Sequence, residues 1–271
     1  MKSSARNVKL ASVDDLFTTE QERQEADEER VVRIPLTQLH YFKGYPAMQT
    51  EVPFTGQPYR FKDDDPKMQE TLDSVKKRGV RAPGLVRPDP DGGYEIISGH
   101  RRHRASELAG LEDMPVIIRD MTDEEAVIEM VDANIQREKV MPSEKAWAYR
   151  MKLEAIKHQG ARTDLTSVQV EQKLSARDKV AKDAGEKSGI QIMRYIRLTE
   201  LIPELLDMVD EKKIAFNPAY ELSFLKKEEQ IQLLDAMDSE QATPSLSQAQ
   251  RLKKYSQEGH LTLDMMRVIM G

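Results

Sequence analysis

The spacing of apolar and polar residues changes period along this chain and divides it. "VVRIPL" (31–36) is a β-branched run broken at Pro35, and it predicts a first strand. Residues 41–66 hold four prolines and two glycines and predict loop. In residues 67–79, Met68, Leu72 and Val75 recur at helical spacing, and Gly79 marks the C-cap. "GLVRP" and "YEIIS" flank Asp91-Gly92-Gly93, which reads as a hairpin. "MPVIIRD" reads as a short buried strand. A capping box from Thr122 to Glu125 then opens the helical "TDEEAVIEMVDANIQRE". Strands and helices thus alternate from 31 to about 138.

From Pro142 the period stays helical to residue 271. Leu205, Leu206 and Val209, then Leu222, Leu225, Ile231, Leu233 and Leu234, are expected to form packing faces, and the last stretch reads as a further helical pair. The pattern predicts an α+β chain, a small mixed α/β domain followed by an all-helical part. Four segments are expected: a flexible, acidic lead-in over 1–30, the α/β domain over 31–138, a helical domain over 139–240 and a C-terminal helical segment over 241–271.

Composition narrows the class. The 271 residues are 39% hydrophobic and 32% charged with a net charge of −6, and there is no cysteine, so disulfide and thiolate chemistry are excluded. No apolar run approaches the roughly 20 residues that span a bilayer, and residues 1–17 lack the apolar core of a signal peptide. A cytoplasmic protein is expected, with no membrane partner. An acidic balance argues against a surface coated in nucleic acid, but says little about local basic patches.

One such patch lies in "EIISGHRRHRASELAG" (95–110). Ser98-Gly99 ends the second hairpin strand, and His100, Arg101, Arg102, His103 and Arg104 open a helix. Cations at a helix N-terminus face the positive end of its dipole. They make sense there if an anion joins the free backbone N–H groups, with Gly99 allowing close approach. The residues alone leave open a second account, in which the arginines are solvated or pair with Glu95 or Glu107. Asn134, Arg137 and Glu138 gather at the end of a later helix, where a hydrated C-terminus is the simpler reading.

Taken together these segments are specific. A Gly-x-Arg-Arg-x-Arg-Ala stretch, followed some thirty residues later by "NIQRE" and a helical domain, resembles the ParB/RepB family of DNA-partition proteins. The likeness runs from about Val31 to at least Pro203, with "QPYR" (57–60) and "GVRAPGLVRP" (79–88) as a degenerate first box. The resemblance implies a ParB-like α/β domain that binds CTP with Mg²⁺. Arg60, Gly79 and Pro83 would cradle base and ribose. Ser98, Gly99, His100, Arg101, Arg102, Arg104 and Ala105 would form the triphosphate box, with Asn134 and Arg137 on the metal side and Asn134 the Mg²⁺ ligand. It also implies a homodimer on a palindromic, centromere-like site in double-stranded DNA, nucleoid- or plasmid-associated, serving plasmid or mobile-element segregation with a ParA-type ATPase. "KSSARNVK" resembles the short basic tail that stimulates such an ATPase.

The chain departs from the pattern where carboxylates are expected. His100 replaces the usual acid after the box glycine, and Ala133 replaces the usual Glu before the asparagine. Mg²⁺ prefers hard carboxylate oxygens; Asp132 or Glu138 would have to stand in, and no more than a weak CTPase follows. A nucleotide-independent ParB-like transcription regulator is the alternative. Sulfiredoxin has a similar α/β domain, but its chemistry needs the cysteine this chain lacks.

Residues 177–203 hold a candidate helix-turn-helix. Val180, Ala181 and Ala184 face inward, Gly185 permits a left-handed turn, and Ser188 caps a second helix with Ile192 and Ile196 inside. Gly189, Gln191, Met193 and Arg194 are then expected on the outer face, where a recognition helix meets the major groove, with Lys187 and Arg197 near phosphates. Across 177–197, six Lys/Arg stand against three acids. An ordinary helical hairpin fits the same pattern.

Overall fold

Residue Arg33 of the first strand reaches Asp113 of the last, with Nη2 2.5 Å from Oδ1, across two strands that neighbour each other in the sheet. The computed structural model describes residues 30–43, 63–135, 140–163 and 169–271. Five strands, β1 (Val31–Pro35), β2 (Leu39–Tyr41), β3 (Gly84–Pro88), β4 (Tyr94–Ser98) and β5 (Asp113–Ile118), form one mixed sheet in the order β1-β5-β3-β4-β2. The β3–β4 hairpin is antiparallel as expected, and β1 pairs antiparallel with β5. Strand β2 was not evident in the sequence. It is three residues long, follows a 3₁₀ turn, and exists by pairing parallel with β4, a partner more than fifty residues away.

Helix α1 (Pro66–Arg78) begins where Asp65 accepts from Lys67 N and ends at Gly79. Its inner residues Met68, Leu72 and Val75 pack on Ala105 of α2 (His100–Leu108). Helix α3 (Asp123–Ile135) carries the expected capping box: Glu125 N donates to Thr122 Oγ1 and Thr122 N to the Glu125 carboxylate.

The helical part comprises α4 (Pro142–Thr163), α5 (Gln169–Asp183), α6 (Gly189–Arg197), α7 (Pro203–Asp210), α8 (Phe216–Leu222), α9 (Lys227–Glu240), α10 (Leu246–Gln257) and α11 (Leu263–Met270). One core crosses the expected 138/139 division: Phe42, Ile97 and the inner face of α3 pack with Trp147, Tyr149 and Met151 of α4, then Val180 and Ile192. A second core joins α7 to α11. The expected packing face of α9 is corrected at one position. Ile231 is exposed, because the inner face runs through Gln230, Leu233, Ala236 and Met237. Gln230 is buried usefully: its carbonyl accepts from Ile202 N, and its amide donates to Glu200 O and Leu225 O. These contacts satisfy backbone groups that a leucine would leave unpaired. Among the described residues no helix is long and apolar enough to cross a membrane.

Candidate functional site

The turn from β4 into α2 forms one wall of a pocket of about 510 Å³. Gly99 is the N-cap of α2 with φ +110°, a conformation that favours glycine. A Cβ there would lie 3.1 Å from Gly84 Cα and 3.3 Å from Arg102 Nη2. Glycine therefore serves twice, by its dihedral and by its size. Ser98, Gly99, His100, Arg101 and Arg102 line this wall, Gly79 to Ala82 line the next, and Glu70, Thr71 and Ser74 of α1 face in.

The arginines of the box divide. Arg104 lies outside the pocket lining and is neutralised: Nε and Nη2 donate to the two carboxylate oxygens of Asp63, at 3.0 and 2.6 Å, and Nη1 to Glu107 at 3.1 Å. Those hydrogen bonds raise its pKa further above the ordinary arginine range. Among the described residues Arg102 donates only to carbonyls, Ala82 O at 2.7 Å and Pro83 O at 2.5 Å, so Pro83 enters the site as a backbone acceptor. Burial without a carboxylate pushes the Arg102 guanidinium below its ordinary pKa. Arg101 has a buried Nε with no hydrogen-bond partner and no ion pair among the described residues. Glu95, the other acid available to the box in the sequence, is taken by Arg87 at 2.7 Å. Two cations thus line the pocket at a helix N-terminus without an ion pair among the described residues, and Glu70 is the single acid facing them. Among the described residues, the account in which acids neutralise the box holds for Arg104 alone.

Of the other expected members, His100 belongs to the pocket lining, whereas Ala105 and Asn134 do not. His100 is buried and stacked on Tyr41, ring centroids 5.8 Å apart. Ala105 is in the α1–α2 core rather than the pocket. Asn134 does not line the pocket. It is buried, and its Nδ2 donates to Met130 O of its own helix at 2.7 Å. Asp132, the carboxylate that could have replaced the missing ones, is bound to Lys152 Nζ at 2.5 Å. Glu70 is then the one acid among the described pocket-lining residues, so the described part of the site is poor in the carboxylates that the metal side of the resemblance calls for. Among the described residues no group of three or more His, Asp or Glu is arranged to hold a metal. Arg60, Arg137 and Glu138 lie outside the described residues, as do the acidic lead-in and the basic tail.

The second candidate surface is the α5–turn–α6 segment. Gly185 takes φ +67° in the turn, and Ser188 caps α6, accepting from Gln191 N at 3.4 Å. Glu186 anchors the turn to α4 by accepting from Lys145 at 2.8 Å and Tyr149 at 2.9 Å. Lys187 is exposed, and Gln191 and Met193 are half-buried. Gly189 does not face outward as the helical spacing predicted; it is buried against α5, its N donating to Asp178 Oδ1 at 3.2 Å. Arg194 donates to Asn217 Oδ1 at 2.8 Å and lies over the rings of Phe216 and Tyr220. Arg197 donates to Ser223 O at 2.9 Å and lies over Phe224. Ile190, passed over in the sequence, is 75% exposed.

Residues 20–135 match the ParB N-terminal domain. This part of the chain is a ParB N-terminal domain. Among its relatives, the chromosome-partitioning protein Spo0J of Thermus thermophilus is 31% identical over 201 residues, 74% of this chain and 62% of the relative. The chromosome-partitioning protein ParB of Myxococcus xanthus is 35% identical over 134 residues, 49% of this chain and 40% of the relative. The chain thus matches less than two thirds of the length of either. Similar solved structures include the C-terminally truncated ParB of Caulobacter crescentus complexed to the centromeric parS site, at 20% identity and TM-score 0.44 over 88% of this chain and 98% of that one. The same protein complexed with CTP-γ-S is 23% identical, with TM-score 0.33 over 72% of this chain and 92% of that one.

Proposed function

We propose that this chain is a partition protein that grips a centromere-like, palindromic DNA site through α5 and α6, and that CTP in the pocket at the α2 N-terminus switches that grip. The observation that carries the nucleotide half is the pair Arg101 and Arg102, which line the pocket beside the first free N–H groups of α2 and make no ion pair among the described residues, with Glu70 the one acid in the lining. A polyphosphate supplies the missing negative charge. Gly99 lets the backbone approach it, and the Arg102 bonds to Ala82 and Pro83 tie the 79–83 wall to the phosphate wall. The single core shared by α3, α4 and α6 gives nucleotide binding a route to the DNA-binding helices. Segments 31–138 and 139–240 are the nucleotide and DNA units of this reading, with 241–271 closing the second. The protein acts as a homodimer on nucleoid or plasmid DNA and recruits a ParA-type ATPase through the 1–30 segment. Names borne by the relatives, chromosome-partitioning Spo0J and ParB, support the process.

The test is isothermal titration of the full chain with CTP, ATP, GTP and UTP, with and without Mg²⁺ and DNA. Selective CTP binding that is lost in Arg101→Ala is expected. Binding unchanged in that variant would move the phosphate site elsewhere. A second reading, a nucleotide-independent DNA-binding regulator, is favoured by one observation: Asn134 and Asp132 are committed within the protein, and Glu70 is the one acid among the described pocket-lining residues. It predicts that none of the four nucleotides binds under any of these conditions.

A further inference from the structure

Helix α6 carries isoleucines that point in opposite directions. Ile192 is buried and Ile196 half-buried, whereas Ile190, the second residue of the helix, is 75% exposed. A lone exposed isoleucine is ordinary. The surroundings of this one give it a role.

The first turn of α6 is clamped. A Cβ on Gly189 would lie 2.7 Å from Asp178 Oδ1 and 2.9 Å from Arg177 Cβ, so α6 begins in direct contact with α5. Ser188 caps the same turn. Ile190 therefore projects from a rigid end of the helix. One turn on, Arg194 is bonded to Asn217 and stacked between Phe216 and Tyr220, and Arg197 is bonded to Ser223 O. The long cations that would ordinarily read guanine are tied back to α8 and the residue after it. The charge of the α5–turn–α6 segment suits a polyanion. Lys179, Lys182 and Lys187 are exposed, Glu186 and Asp183 are bound to Lys145 and Lys152, and the third acid, Asp178, accepts from Gly189 N.

We infer that Ile190 reads sequence, packing its side chain on the C5-methyl of a thymine in the major groove. The inference rests on the DNA-binding reading above and adds to it the residue and the base. Thymine is the one base that offers an apolar group in that groove, and the first turn of a recognition helix is the part that reaches base edges. The exposed lysines hold the phosphates on either side, which sets register without reading sequence.

The experiment begins with the full-length wild type and duplexes of random sequence, from which the preferred site is selected. Each thymine in that site is then replaced by deoxyuridine, which removes only the methyl, and binding is measured for wild type, Ile190→Ala and Ile190→Val. One thymine position is expected to lose about four- to tenfold in wild-type affinity on demethylation. The same position should lose nothing further in Ile190→Ala, while Ile190→Val keeps part of the effect. Demethylation costs that are identical in wild type and Ile190→Ala at every position would overturn the inference and leave DNA binding standing. A wild type that selects no sequence overturns both. Circular dichroism of the variants checks that the exposed substitution leaves the fold intact.

Discussion

Asp132 of α3 and Asp183 of α5 share one ammonium group, Lys152 Nζ, at 2.5 and 2.9 Å. The lysine side chain is 1% exposed, while the carboxylates keep 41% and 35% of their surface. The asymmetry sets the energetics. Either carboxylate can lose its partner and be hydrated, but the cation cannot reach water. Asp132→Asn or Asp183→Asn alone leaves one anion in place and is expected to cost about 1 kcal/mol. The double variant strands a charge in the core shared by α3, α4 and α5, and is expected to cost about 3–5 kcal/mol. Urea unfolding of the four proteins in the cycle measures the difference. Losses that simply add would show that the two carboxylates act independently.

Gly99 is the pivot of the pocket, and its replacement separates shape from charge. Gly99→Ala keeps every arginine but forces a side chain into φ +110° and against Gly84 and Arg102. A non-glycine residue held there is expected to cost about 1–3 kcal/mol of stability. The pressure falls on the Arg102 guanidinium, so CTP affinity should fall as well. Arg104→Ala is the control. Arg104 already has Asp63 and Glu107, and its loss should leave CTP affinity within about twofold, as the removal of a surface ion pair does for stability. Titration of both variants checks this, and equal damage from the two would return Arg104 to the phosphate site.

What the sequence made legible was local. Helix α1, the β3–β4 hairpin and the Thr122–Glu125 capping box are each written within a few residues, and each forms as predicted. Strand β2 was invisible because a three-residue strand takes its identity from its partner β4. The same limit applies to the site. Arg101, Arg102 and Arg104 are alike in sequence, yet Arg104 is set apart by Asp63, forty-one residues upstream. Helical spacing put Gly189 outside because it cannot register how closely α5 approaches. A stronger signal was present in Ile190, an aliphatic residue out of phase with Ile192 and Ile196.

Behind the arginines lies a titratable group. His103 is buried edge-on to Tyr41, and burial pushes its pKa below the ordinary histidine value, with Arg104 and His40 adding repulsion and Glu107 opposing them. The unfolded chain therefore takes up the proton first. Stability from the neutral buried ring is fully present above the unfolded value of about 6.5 and is lost as pH falls below it towards the depressed folded value. Wild type is expected to lose thermal stability between pH 7 and pH 5, and His103→Leu to show a shallower loss over the same range. Melting curves across that window decide it. Parallel pH profiles for the two proteins would assign the acid sensitivity to other groups.

Arg194 holds α6 to α8 through Asn217, Phe216 and Tyr220, with ring centroids 5.4 and 4.8 Å from its Cζ. One hydrogen bond and two ring contacts of this kind are together worth about 1–2 kcal/mol. Arg194→Ala should lower the unfolding free energy by that amount and loosen the presentation of α6. Its effect on DNA should then be general: affinity falls for every sequence alike, and the preferred site keeps its base preferences. A side chain bidentate to guanine would behave differently, relaxing preference at one base pair while leaving the fold untouched. Selection of DNA sites by Arg194→Ala, set beside its urea midpoint, distinguishes the two. Relaxation at a single position with an unchanged midpoint would mean that Arg194 leaves Asn217 and turns into the groove when DNA binds.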